Sequence, residues 1–160
     1  MTSLDQSVSD STTLTVTRML DAPREAVFAA WTDPKQFAQW MGPGSIRAEI
    51  DALDARVGGT YRIVMRGTPN PAGMSIVSGV YREIVPPSRL VLTWAWEEDM
   101  LTHKAGHESL VTLTLRPVGG KTELTLTHER LESKGSRDSH AQGWEGCFEK
   151  LVKYLEQGRV

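Results

Sequence analysis

Near the end of the chain, Trp144, Phe148, Leu151 and Leu155 recur at steps of four, three and four residues, while Glu145, Glu149, Lys153 and Glu156 fall on other sides. This spacing predicts one amphipathic helix from Ser139 to Gln157, with a single apolar stripe. Burying each of the four side chains contributes roughly 1.5 to 3 kcal/mol, so the rest of the chain must supply a surface for the stripe. Ser139 with Gln142 three positions later reads as a capping box, and Gly158 as the stop. Gly143 and Gly146 lie inside the helix, where each costs about 1 kcal/mol relative to alanine. Either another backbone or a ligand comes close there, or the first turns are frayed and the cost is small.

The preceding sequence offers such a surface. Thr12 to Leu20 alternates Leu14 and Val16 with threonines, the pattern of a strand. Pro23 then opens a helix with Val27, Phe28 and Trp31 on its apolar side, and Asp33-Pro34 breaks it. A second short helix, Pro34 to Met41, carries Phe37 and Trp40 and ends at Gly42-Pro43-Gly44. The period then changes from helical to two. Ile46, Ala48, Ile50 and Ala52 alternate with Arg47, Glu49 and Asp51, a half-buried strand. Further strands are predicted over Thr60 to Arg66, Met74 to Val85, Arg89 to Glu97, His107 to Arg116 and Lys121 to His128. Gly58-Gly59 precedes the first of these, and Gly119-Gly120 makes a short hairpin before the last.

Strands joined by tight turns are antiparallel, and such a sheet usually buries one face. The long helix covers that face. The expected architecture is α+β, a helix-grip fold: a curved antiparallel β-sheet wrapped around a long C-terminal helix, with two short helices after the first strand. At 1.5 Å per residue the helix is roughly 30 Å long, and a curved sheet beneath it leaves room for a cavity.

The chain of 160 residues suffices for one domain, expected over residues 12–158 behind a disordered polar tail, 1–11. With a net charge of -2 and basic residues dispersed among acids, no face suits a phosphate backbone, so nucleic acid is not an expected partner. The tail has neither the basic start nor the apolar run of a signal peptide, and no stretch approaches the roughly 20 apolar residues that span a bilayer. A soluble, cytoplasmic chain with no membrane partner is the expectation. Cys147 is the only cysteine, which excludes an intramolecular disulfide, and beside Phe148 it reads as a small buried hydrophobe.

Motifs of the common enzyme classes are absent. Gly42-Pro43-Gly44 lacks the strand and later glycine of a phosphate loop, and His128-Glu129 meets Glu132 where a zinc protease has its second histidine. His103 and His107 beside Glu97, Glu98, Asp99 and Glu108 have metal-like content but read as a solvated loop. No catalytic residue, metal or cofactor is expected. The tryptophans are more informative. Trp94 and Trp96 point the same way along one strand and Trp144 lies on the inward stripe, where core packing and pocket lining both fit. Trp40 is placed at the pocket mouth, and Met65 in its wall if Tyr61 and Ile63 face inward. His128, in phase with Leu124 and Leu126, points inward as a hydrogen-bonded core residue or as a ligand's polar partner. Tyr81 and Glu83 oppose Val80 and Ile84 in phase, and which phase lines a cavity stays open, as it does for Arg62 and Arg66.

The run Ala30-Trp31-Thr32-Asp33-Pro34, with Trp40 and Pro43, resembles the start of the domain shared by homologues of the activator of Hsp90 ATPase, within the START-like or Bet v 1-like superfamily (SRPBCC). Gly79-Val80-Tyr81-Arg82-Glu83-Ile84, then Pro86-Pro87 and Arg89-Leu90-Val91-Leu92-Thr93-Trp94, is similar to its central strands. His140-Ala141-Gln142-Gly143-Trp144 is similar to its last helix. The resemblance implies a helix-grip fold, a pocket for a hydrophobic small molecule and a stress-response setting. The namesake co-chaperone has an additional N-terminal domain that contributes to chaperone binding, where this chain has a short polar tail.

The leading expectation is a non-catalytic binding protein for a small hydrophobic or aromatic molecule. Its site would comprise Trp40, Met65, Tyr81, Trp94, Trp96, His128, Trp144 and Phe148, with His128 or Tyr81 as the polar handle. The alternatives are a cyclase or dehydratase acting on a polyketide-like or aromatic substrate through His128, and an interaction module for an Hsp90-type chaperone. A homodimer is compatible with either.

Overall fold

The computed structural model describes residues 11–99 and 104–157. Its elements run β1 (Leu14–Leu20), α1 (Arg24–Thr32), α2 (Pro34–Trp40), β2 (Arg47–Leu53), β3 (Thr60–Arg66), β4 (Met74–Val85), β5 (Arg89–Trp96), β6 (Ser109–Val118), β7 (Lys121–Glu129) and α3 (Lys134–Gln157). The seven strands form one antiparallel sheet in the order β1-β7-β6-β5-β4-β3-β2. This is the helix-grip architecture, with α3 as the gripped helix.

Hairpin connections dictate β2 through β7, but β1 is placed by a long-range pairing, Leu14 opposite His128 through Leu20 opposite Thr122. It thereby becomes the edge opposite β2. An ion pair between Arg18 and Glu145, 2.6 Å long, fastens that edge to α3.

The C-terminal helix starts five residues before the predicted Ser139. Ser133 is its N-cap: the hydroxyl accepts from the Ser136 N–H at 3.1 Å and the carbonyl from the Arg137 N–H at 3.0 Å. Ser133 lacks the Glu or Gln of a capping box, which is why the sequence pattern points to Ser139 instead. With 24 residues α3 is roughly 36 Å long. Gly158, the predicted stop, and residues 1–10 of the predicted tail lie outside the described residues.

The face against α3 carries Tyr61, Ile63 and Met65 of β3, Leu90, Leu92 and Trp94 of β5, Val111, Leu113 and Leu115 of β6, and Leu124, Leu126 and His128 of β7, all buried. The opposite face shows water its arginines. Arg62 pairs with Asp51 at 3.0 Å and Glu97 at 2.9 Å, and Arg66 with Glu49 at 2.6 Å. The phase left open in the sequence is thus decided: arginines out, Tyr81 in. Register shifts explain why alternation alone is ambiguous. A bulge between Tyr81 and Glu83 reverses the phase within β4, so that Tyr81 before it and Ile84 after it both turn toward the core. A second, between Ile50 and Ala52, leaves Ala52 exposed in edge strand β2, where the sequence predicts an unbroken alternation.

The β4–β5 ladder is also interrupted at Gly79. A Cβ there would collide with the Thr93 carbonyl and the Tyr61 ring. In place of ladder bonds the Tyr61 hydroxyl donates to Thr93 O at 2.5 Å, and the Val80 N–H donates to Thr93 Oγ1 at 2.8 Å. Burial holds the Tyr61 phenol well above its ordinary pKa, so it remains a donor across the physiological range. These interruptions are the devices by which a sheet bends.

Candidate functional site: a tryptophan-lined cavity under the last helix

A partly open cavity of about 250 Å³ lies between α3 and the sheet. Met65, Ser75, Trp94 and Trp96 line it from the strands, and Ser139, His140, Gly143, Trp144 and Cys147 from α3. Met41, Pro43 and Ile46 close one side, with Thr68 and Pro69 on the β3–β4 connection. Of the eight predicted site residues, Met65, Trp94, Trp96 and Trp144 therefore border one cavity, and the other four do not.

Each of those four is held elsewhere. Trp40 is not at a mouth: it is fully buried, and its indole N–H donates to Ala30 O at 3.0 Å. Phe148 is fully buried in the aromatic cluster with Trp31, Trp40 and Trp144. Tyr81 packs its ring against Tyr61, with centroids 5.6 Å apart, and burial raises its phenol pKa. His128 is fully buried and takes part in a hydrogen-bond network rather than in the cavity wall.

That network fixes two tautomers. The Ser109 hydroxyl donates to Trp94 O at 3.0 Å, so it accepts from His128 Nε2–H at 2.7 Å. His128 Nδ1 then accepts from the Trp144 indole N–H at 3.1 Å. His140 has the opposite tautomer: Nδ1–H donates to Ser136 O at 2.7 Å, and Nε2 accepts from the Trp96 indole N–H at 3.0 Å. An indole N–H can only donate, so the nitrogen facing it must carry a lone pair. Both imidazoles are thereby held neutral, their rings 4.8 Å apart. Nothing in the sequence reading singles out His140 as a wall residue, although it sits four residues before Trp144 and extends the apolar stripe by one turn.

Burial lowers the His140 pKa from its ordinary 6.5, against a smaller opposing effect of the Ser136 carbonyl. The unfolded chain therefore binds a proton that the folded chain refuses. Stability is fully present above pH 6.5 and is lost as pH falls from there toward the depressed folded value. Thermal unfolding followed between pH 7.5 and 5 should show a falling melting temperature, and His140→Gln, which keeps an acceptor for Trp96, should flatten the slope. Glu97, held below 4.5 mainly by its hydrogen bond to Arg62, contributes only at lower pH.

The two helix glycines have distinct reasons. A Cβ on Gly146 would lie 2.6 Å from Pro43 Cβ, so the chain crossing at Pro43 requires glycine. A Cβ on Gly143 would meet nothing within 4 Å, because that side of the helix looks into the cavity. Lys150 completes the attachment of this segment: its ammonium donates to Gly42 O, Gly44 O and Ile46 O at 2.5, 3.2 and 3.0 Å. Cys147, in the wall, has its thiol pushed up to about 11 by burial and is a neutral apolar contact for Met41.

Among the described residues no group of three or more His, Cys, Asp or Glu is placed to hold a metal ion. His107 instead lies 2.9 Å from Arg130 O, and His103 is outside the described residues. No described helix is long and apolar enough to cross a membrane.

The family described as activator of Hsp90 ATPase homolog 1-like protein matches residues 21–156. The chain belongs to this family. Among solved structures, a protein from Chromobacterium violaceum is similar at 27% identity, with a TM-score of 0.81 over 91% of this chain and 97% of that one. The AHSA1 protein from Silicibacter pomeroyi is similar at 29% identity, with a TM-score of 0.78 over 91% and 99%. A Rhodobacter sphaeroides protein follows at 25% identity and 0.74, over 92% and 94%. No curated protein matches the chain. Membership in the activator of Hsp90 ATPase homolog 1-like family thus agrees with the helix-grip fold and supports a ligand-binding domain family.

Proposed function

We propose that this protein binds a small hydrophobic or aromatic molecule in the cavity under α3 and does not turn it over. The observation that carries this reading is a cavity of about 250 Å³ bordered by three tryptophans. Its one imidazole, His140, has both nitrogens committed to Ser136 and Trp96. Such a wall offers dispersion and ring contacts but no poised acid, base or nucleophile.

The decisive test fills the space. Gly143→Leu adds a side chain where there is room for it, and removing glycine from a helix interior is favourable by about 1 kcal/mol. Native mass spectrometry of gently purified protein should show a discrete small-molecule adduct that is lost on denaturation. The Gly143→Leu variant should carry none, with a melting temperature equal to or above that of the parent. Equal occupancy in both would place the ligand elsewhere and remove the basis of the reading.

A further inference from the structure

The cavity wall also specifies what kind of molecule fits. We infer that the ligand is an uncharged aromatic molecule about two fused rings in size, carrying a hydroxyl or N–H that it donates to the Thr68 hydroxyl. This rests on the binding function proposed above.

Size follows from volume. An apolar cavity of about 150 Å³ accepts benzene, so about 250 Å³ suits a bicyclic ring system. Aromatic character follows from the walls: Trp94 and Trp96 stand nearly perpendicular, at 89° with centroids 5.8 Å apart, and Trp144 is tilted 49° from Trp94 at 5.0 Å. Flat rings meeting at such angles, with the thioethers of Met41 and Met65 beside them, suit a planar guest. Neutrality follows from charge. The described lining residues include no Asp, Glu, Lys or Arg, and His140 is held neutral. An ionised ligand would surrender its hydration without a counter-ion.

The donor follows from the direction of protons at the Thr68 end. Thr68 spends its own proton on Asn70 Oδ1 at 2.8 Å, and the Asn70 amide donates to Met74 O at 2.8 Å and to Ser75 Oγ at 3.3 Å. Ser75, fully buried, donates more loosely to Thr68 Oγ1 at 3.5 Å. Every proton of this cluster points back into it, leaving half-buried Thr68 with only a lone pair to offer the cavity. Among the described residues the Trp94 indole N–H has no partner, but it is sealed off, so an acceptor on the ligand cannot reach it and its cost falls on the fold rather than on the choice of ligand.

Isothermal titration of the full chain with 2-naphthol, naphthalene, 2-methoxynaphthalene, 2-naphthoate and 1-octanol separates these elements. The expected result is 2-naphthol binding at least tenfold more tightly than 2-methoxynaphthalene, with no detectable 2-naphthoate binding at neutral pH. Thr68→Val should bring 2-naphthol down to the affinity of 2-methoxynaphthalene without changing naphthalene, and Thr68→Ser should restore it. If the three uncharged aromatics bind equally and Gly143→Leu abolishes all of them, the donor is wrong while the binding function stands. Preference for 2-naphthoate would overturn neutrality, and binding of 1-octanol alone would overturn the aromatic class. If none of the five binds, the ligand class is overturned, and an absent adduct in native mass spectrometry would then remove the proposed function with it.

Discussion

His128→Leu is expected to destabilise the protein by about 2 to 4 kcal/mol, read as a lower midpoint in urea unfolding with little change in slope. Leucine supplies comparable apolar bulk, so the loss comes mainly from hydrogen bonding. The Trp144 indole N–H loses its acceptor, and the Ser109 hydroxyl loses the N–H it accepts from. A buried donor left without a partner costs about 1 to 3 kcal/mol, and imperfect packing in a fully buried position adds to that. The mechanism has its own signature. Trp144→Phe removes the orphaned donor, so the double variant should be more stable than the sum of the two single changes allows, by about 1 kcal/mol. Strict additivity would mean that His128 acts by packing alone. The folded His128→Leu protein should still bind an apolar probe to within about threefold, since His128 does not border the cavity. A folded variant that has lost binding altogether would return His128 to the ligand, as its place on the inward face of β7 first suggests.

The same residue shows what can and cannot be read from a sequence of this kind. Its inward direction is legible, because a period of two carries it with Leu124 and Leu126. Its partners are not: Ser109 lies on β6 and Trp144 on α3, and only tertiary packing brings them within 3.1 Å. The hairpin order of β2 through β7 can be derived from Gly-Gly turns and alternation, whereas β1 reaches β7 through a contact between positions more than a hundred residues apart. Alternation fails where bulges break it, between Tyr81 and Glu83 and between Ile50 and Ala52: neither Arg82 nor Asp51 is a glycine or proline, and Gly79 interrupts the ladder two residues before Tyr81 without marking the shift itself. Trp94, Trp96, Trp144 and Met65 are recognisable as wall residues because large side chains on a concave face must border whatever space remains. Phe148, Trp40 and Tyr81 obey the same pattern but lie deeper. Periodicity gives a direction, not a depth.

Gly146 and Lys150 show how a cavity of this kind is kept in shape, and replacing them should have effects that exceed their local contacts. Alanine at Gly146 would gain about 1 kcal/mol from helix propensity, but its Cβ would be forced to within 2.6 Å of Pro43 Cβ. A proline ring cannot swing aside as a long side chain can, and overpacking typically costs about 1 to 3 kcal/mol. Gly146→Ala is therefore expected to destabilise where Gly143→Ala, one turn away and facing open space, stabilises by about 0.5 to 1 kcal/mol. Lys150→Met keeps the apolar stem and deletes the ammonium that joins Gly42 O, Gly44 O and Ile46 O. Hydrogen bonds to a charged group are worth about 1.5 to 3 kcal/mol each when buried, but part of this segment is exposed and can rehydrate, so a total of about 2 kcal/mol is expected. Because Pro43 and Ile46 are themselves cavity walls, both substitutions should also weaken an apolar probe by about tenfold. Calorimetric unfolding and titration on the two single variants and their double variant would check this. Once one fastening is gone the segment has already moved, so the second change should cost clearly less than it does alone, in stability and in affinity together. Full additivity would mean that helix contact and ammonium act on different parts of the segment, and that the wall of the cavity does not move as one piece.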